Sequence, residues 1–299
     1  MKLTAITSAL VVCVLVGGSA VAQEGDLWYS TEIDFTSGGV GWITPVYDGD
    51  LLTLEDCIYL RNNQLTANLG IMPPVPDLGL DAVTREPADP TTEYPRPILF
   101  SLETTVWSET LGTILHGDLL SMDGTIVRRE SELWDAFDPL AIPISGTGLD
   151  AVNVPLATYP IDMGYLFSVE VGFYSLALGR YISDGDLLAE AGFVYRTHAQ
   201  LMQYFHPLTA EGEPMEPDFG LDAVWVAPNG TVYFSVDEGF RDRVWGRISD
   251  GDLLCETGWV IRRNLELVDE CDPIEDVDNF GLDALHHDGN IHLTPESLD

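Results

Sequence analysis

The sequence predicts an all-β protein, a β-propeller of about four blades, and three recurring signatures carry that expectation. Gly-Asp-Leu-Leu recurs with its aspartate at Asp50, Asp118, Asp186 and Asp252, spaced 68, 68 and 66 residues apart. Gly-Leu-Asp-Ala recurs with Asp81, Asp150, Asp222 and Asp283. An apolar run into Ser-x-acid recurs as WYSTE (28–32), LFSLE (99–103), LFSVE (166–170) and YFSVD (233–237), with HLTPE (292–296) a degraded fifth copy. Three signatures in fixed order mark a tandem unit of roughly 60–70 residues that buries its apolar faces against its neighbours.

Residues 221–263 justify the elements of one unit in order. The apolar segment 223–226, the turn Ala227-Pro228-Asn229-Gly230 and the β-forming run 231–236 make a hairpin. After a looser link, SDGDLLCETG and 259–263 make a second hairpin around a glycine-containing loop. A short amphipathic helix follows, as at Asn264-Leu265-Glu266-Leu267, and a proline-rich or acidic connector leads to the next Gly-Leu-Asp-Ala. The chain opens and closes on the Ser-x-acid strand, so a ring of such units closes by pairing strands from both ends in one blade. Four blades fit this phase; five with two incomplete blades, or another all-β repeat stack such as a solenoid or paired sandwiches, are the alternatives.

This repeat form resembles that of bacterial exported β-propeller repeat proteins over nearly the whole mature chain. The resemblance is one of architecture and implies no catalytic residues. Residues 1–22 read as a secretory signal peptide, with an apolar run after Lys2 and Ala20-Val21-Ala22 before Gln23. Residues 23–299 read as a single repeat domain that is secreted, extracellular or periplasmic. The stretches 85–97 and 156–163 read as loop insertions able to carry specificity.

Charge narrows the partners. The chain has 49 acidic residues, 13 basic ones and a net charge of −36. Its one lysine, Lys2, leaves with the signal, so lysine chemistry is excluded. Such a surface repels phosphate backbones and anionic lipid heads, which argues against nucleic acid or a bilayer surface as partner. No stretch after the signal reaches about 18 apolar residues, so no membrane insertion is expected.

Cys57, Cys255 and Cys271 remain after processing, in a compartment that permits disulfides. A helix doubling back along the strand at 259–263 would bring Cys255 to Cys271, the expected bridge, and leave Cys57 a buried thiol.

The Asp-x-Asp pairs Asp48/Asp50, Asp184/Asp186 and Asp250/Asp252 are candidate calcium ligands, because a hard cation takes six to eight oxygens. Each motif supplies only two carboxylates before two leucines, and His116 replaces the first aspartate in the second repeat. A tight turn in which aspartate accepts backbone N–H groups outweighs the ion. Asp81, Asp150, Asp222 and Asp283 allow a ligand or cation collar on the axis, but presence in every repeat favours a folding role, as it does for Glu32, Glu103, Glu170, Asp237 and Glu296. His286-His287-Asp288 with His292 forms the one asymmetric histidine cluster, a candidate metal site whose alternative is a solvated terminal hairpin turned at Asp288-Gly289. Trp225 and Trp259 are expected to pack between blades, while Trp42, Trp107 and Trp245 fall where rings can meet sugars. The resulting expectation is an acidic, secreted binding or scaffold module for a polysaccharide or protein, with calcium as candidate cofactor. The alternative is an extracellular hydrolase or lyase with carboxylates in the central channel.

Overall fold

The computed structural model describes residues 27–38, 43–75, 77–86, 96–140, 146–154, 163–215 and 218–287. The signal segment, Trp42, Asp288, His292, Glu296 and most of both insertions lie outside the described residues.

The chain is built mostly of strands, gathered in many small antiparallel sheets, four of them four-stranded. In the first of these, Leu285–His287 pairs with Leu27–Tyr29, which pairs with Leu51–Thr53 and then Ile58–Leu60, so the two ends of the described chain share one sheet. The second runs Val83–Arg85, Ile98–Phe100, Leu119–Ser121, Thr125–Arg128. The third runs Val152–Asn153, Leu166–Phe167, Leu187–Ala189, Phe193–Arg196. The fourth runs Val224–Val226, Val232–Phe234, Leu253–Cys255, Trp259–Arg262.

Strands this short cannot stand alone, and the doubled leucines show what supports them. Adjacent residues of a strand point to opposite faces, so Leu-Leu is apolar on both sides of its sheet. Leu51 packs with Leu120 between the first and second sheets, and Leu119 with Leu188 between the second and third. Leu187 packs with Leu254 between the third and fourth, and Leu253 with Leu52 between the fourth and first. A register shift falls between the two leucines in all four sheets.

Hydrogen bonds follow the same order. Ser30 Oγ donates to Leu80 O at 3.0 Å, Ser101 Oγ to Leu149 O at 3.2 Å, Ser168 Oγ to Leu221 O at 3.0 Å and Ser235 Oγ to Leu282 O at 2.9 Å. Each serine of Ser-x-acid thus reaches the leucine of the next sheet's Gly-Leu-Asp-Ala, and the fourth reaches the first. The edge strands Val83–Arg85, Val152–Asn153, Val224–Val226 and Leu285–His287 approach one another in the same order.

The link that the sequence leaves loose is itself a hairpin, Val106–Ser108 with Gly112–Ile114 and its counterparts Phe35–Ser37 with Thr44–Val46, Phe173–Ser175 with Arg180–Ile182, and Phe240–Asp242 with Gly246–Ile248. Two of these gain a third strand, Pro139–Leu140 or Pro207–Leu208, from the chain that leaves the preceding helix.

The expected Cys255–Cys271 bridge is not formed. Cys271 bonds Cys57, with Cα atoms 4.7 Å apart, and Cys255 is a buried thiol whose Sγ lies 3.0 Å from Thr257 Oγ1. The helix Asn264–Leu267 does not fold back on its own strand; it carries the chain onto the neighbouring sheet. Leu69, Phe137 and Phe205 occupy the matching place after the other helices, each buried in the cluster shared with the next sheet. Cys271 fills that place between the fourth and first sheets, where the receiving sheet offers Cys57. A bridge across 214 residues of chain joins its two ends. Non-reducing peptide mapping is expected to recover the Cys57–Cys271 pair. Cys57→Ser should destabilise the protein by about 2–5 kcal/mol in denaturant melts, whereas Cys255→Ser leaves the bridge intact.

Candidate metal centre

The aspartates of Gly-Asp-Leu-Leu are buried and face the start of the helix that follows. Asp252 Oδ1 accepts from Asn264 N at 2.9 Å, while Oδ2 accepts from Ser249 N at 3.1 Å and Arg263 Nη1 at 2.8 Å. Asp118 repeats this with Glu130 N, Leu115 N and Arg129 Nη1, and Asp50 with Asn62 N, Tyr47 N and Arg61 Nη1. In the third repeat Thr197 replaces the arginine, and Arg180 reaches Asp186 from the adjoining hairpin instead, at 2.7 Å. These buried carboxylates satisfy orphan amides at a helix N-terminus and pair with a part-exposed guanidinium.

The first helical residue completes the fastening. Asn264 Nδ2 donates to Gly251 O and Gly281 O, and its Oδ1 accepts from Phe280 N. Asn62 does the same with Gly49 O, Gly79 O and Leu78 N. Glu130 accepts from Thr147 N and Gly148 N, and His198 Nε2 from Phe219 N. Different side chains thus tie the same turn to the next Gly-Leu-Asp-Ala.

The two aspartates of an Asp-x-Asp pair meet different partners. Asp48 joins Asp34 and Asp77, each offering one oxygen within 4.8 Å of the others. Burial, a hydrogen bond with Asp77 and the charges of Glu103, Asp77 and Asp34 push Asp48 up to about 8. Asp184 caps Gly185 N and Asp250 caps Gly251 N; Asp250 also accepts from Asn279 Nδ2. His116, the departure in the second repeat, pairs with Glu170 at 3.0 Å.

A second set of acids does converge, and it is the one the sequence assigns to folding. Asp81, Asp150, Asp222 and Asp283 each precede by two residues the edge strand by which one sheet approaches its neighbours, so acids of neighbouring sheets are brought together. The Ser-x-acid residues lie against the same segments, because the glycine of Gly-Leu-Asp-Ala leaves room. At Gly148, with φ +70°, a Cβ would stand 1.9 Å from Glu170 Oε1, and at Gly220, with φ +72°, 2.1 Å from Asp237 Oδ2.

Two triads result: Asp81, Glu103 and Asp283, and Asp150, Asp222 and Asp237, each with one oxygen per residue mutually within 4.8 Å. Sheets two and four contribute two acids to a triad; sheets one and three contribute one. Glu170 is engaged by His116. Burial pushes Asp81, Asp150, Asp222 and Asp283 well above the carboxylate range, and the strongest charges acting on them come from other carboxylates, which push further. Burial, then Asp250, Asp237 and Glu103, raises Glu32 to about 7; burial, then Asp184 and Asp218, raises Asp237 to about 7. Asp81 Oδ2, Asp150 Oδ2 and Asp222 Oδ2 are buried with no hydrogen-bond partner.

No family model, no curated protein and no solved structure matches the chain.

The remaining candidates separate. His286 lies beside Trp28 and Thr84, whereas His287 lies against Trp225, so neighbouring histidines face opposite ways along the strand. Trp225 is buried as expected, but Trp259 is 41% exposed, its ring edge-on to Trp245. Trp107 is exposed.

Two outcomes test these assignments. Asp252→Ala strips the acceptor from the buried amide of Asn264, the part-buried amide of Ser249 and Arg263, and should cost about 3 kcal/mol in equilibrium unfolding. For the converging acids, the unfolded chain ionises from about pH 4 while the folded groups hold their protons to higher pH. Their stabilising contribution is therefore present in acid and lost as pH rises. In chelator, the melting temperature should fall as pH rises from about 4 through about 7, where Glu32 and Asp237 ionise in the folded chain, with a flatter slope for Asp237→Asn.

Proposed function

We propose that the chain is an exported four-bladed β-propeller that serves as a binding module for neutral polysaccharide. The propeller reading is supported by the serine hydrogen bonds and apolar clusters that pass from sheet to sheet and return to the first. Export is supported by the Cys57–Cys271 bridge, which belongs in an oxidising compartment, and no helix among the described residues is long and apolar enough to cross a membrane.

The observation that carries the binding reading is an aromatic face in the third repeat. Tyr174 and Tyr181 sit directly opposite each other in the hairpin, 41% and 59% exposed, and exposed Leu140 pairs with Tyr174 on the adjoining strand. Flat rings with polar tips, held on rigid strands, suit the apolar faces and hydroxyls of sugars, and a contiguous exposed apolar patch marks an interaction surface. The acidic surface disfavours anionic polymers.

The rival reading, a hydrolase or lyase, draws on Glu32 and Asp237, which hold protons near neutrality. Against it, every repeat supplies the same pair of acids, whereas acid and base roles need environments that push two groups apart. Affinity electrophoresis in gels containing neutral polysaccharides tests the two. Retardation by at least one polymer is expected, weakened roughly fivefold by Tyr181→Ala, about 1 kcal/mol per ring. Release of reducing ends that disappears in Asp237→Asn would favour the enzyme instead.

A further inference from the structure

We propose that the converging carboxylates bind two calcium-like divalent cations, one held by Asp81, Glu103 and Asp283 and the other by Asp150, Asp222 and Asp237. The sites are distinct from the Asp-x-Asp turns and lie where the edge strands of neighbouring sheets approach one another. The inference rests on the cyclic order of the sheets, and not on sugar binding, so either can fail alone.

Geometry comes first. Oxygens on opposite sides of a calcium ion, each about 2.4 Å from it, are about 4.8 Å apart. The three oxygens of each triad all lie within 4.8 Å of one another, a spread on the scale of such an ion's coordination shell. Magnesium demands about 2.1 Å and a near-ideal octahedron, and it gives up its water reluctantly. Three carboxylates on two separate sheets, with exposed Glu103 or Asp237 at the edge of each site, suit the larger ion with water completing its shell.

The second observation is independent of the clustering. Asp81 is 8% exposed and Asp222 5%, yet each keeps a carboxylate oxygen with no hydrogen-bond donor, as does Asp150. Buried polar atoms are nearly always partnered, and the buried turn aspartates of this same chain show how fully it can supply donors when an acid is only structural. The contrast is internal to each repeat: one aspartate has two amides and a guanidinium, the other has carboxylates for neighbours. An ion supplies what is missing at both triads at once, neutralising charge and filling the open lone pairs.

The asymmetry of the second repeat fits two sites rather than four. His116 takes Glu170 at 3.0 Å and leaves Asp150 to the triad with Asp222 and Asp237. Each ion would link neighbouring sheets: the first to the second through Asp283 and Asp81, and the third to the fourth through Asp150 and Asp222.

The test uses the full mature chain, stripped with chelator and dialysed against calcium chloride near neutral pH. Equilibrium dialysis with metal analysis should return two bound calcium ions per chain. Asp81→Asn and Asp222→Asn should each lower that to one and the double variant to none, while Asp48→Asn retains two. Melting temperature should rise saturably with calcium in the wild type and stay unmoved in the double variant, whose uncharged amides remove the repulsion and keep the fold. Fewer than two ions in the wild type, an unchanged count in the double variant, or an equal melting shift from potassium chloride of matched ionic strength would each overturn the proposal.

Discussion

Everything in this structure depends on sheets too small to be stable singly. A strand of three residues offers few ladder hydrogen bonds, and each four-stranded sheet is apolar on both faces, so it needs a neighbour on each side. The serine of Ser-x-acid makes that dependence specific by donating to one carbonyl on the next sheet. Because the fourth serine reaches Leu282 beside the N-terminal strand, the last pair is held by the same contact as the others. The Cys57–Cys271 bridge adds a covalent bond between the fourth and first sheets.

Repetition of role survives changes of residue. The fastening after Gly-Asp-Leu-Leu is made by Asn62, Glu130, His198 or Asn264, an amide, a carboxylate or an imidazole that meets backbone at or just before the next Gly-Leu-Asp-Ala. Arg180 replaces the arginine that the third helix lacks, approaching the same carboxylate from another element. What recurs is a buried carboxylate with its amides and its cation satisfied, and more than one side chain can complete it.

Two classes of buried aspartate therefore coexist. The turn aspartates are fully met by donors and stabilise the helix start. The aspartates of Gly-Leu-Asp-Ala are placed by the same repeat symmetry, but they meet one another, and burial drives their protonation up. Symmetry, which argues for a folding role while the chain is read one repeat at a time, becomes the cause of convergence once the repeats are arranged in a cycle.

By itself the sequence determined the all-β class, the repeat, the hairpins and the need for closely spaced turns, because period, paired leucines and glycine-rich turns are local features. It also contained the acids of both triads, each in a named motif. Only the tertiary structure decided which carboxylates meet. Asp81 and Asp283 are far apart along the chain, and Asp48 and Asp50, two residues apart, face different partners. The cysteine pairing failed for the same reason: spacing along one repeat brings Cys255 near Cys271, whereas packing between repeats carries Cys271 to Cys57. Local chemistry is written in neighbouring residues, but contacts between sheets depend on the direction in which each helix leaves its strand, and no short motif encodes that direction.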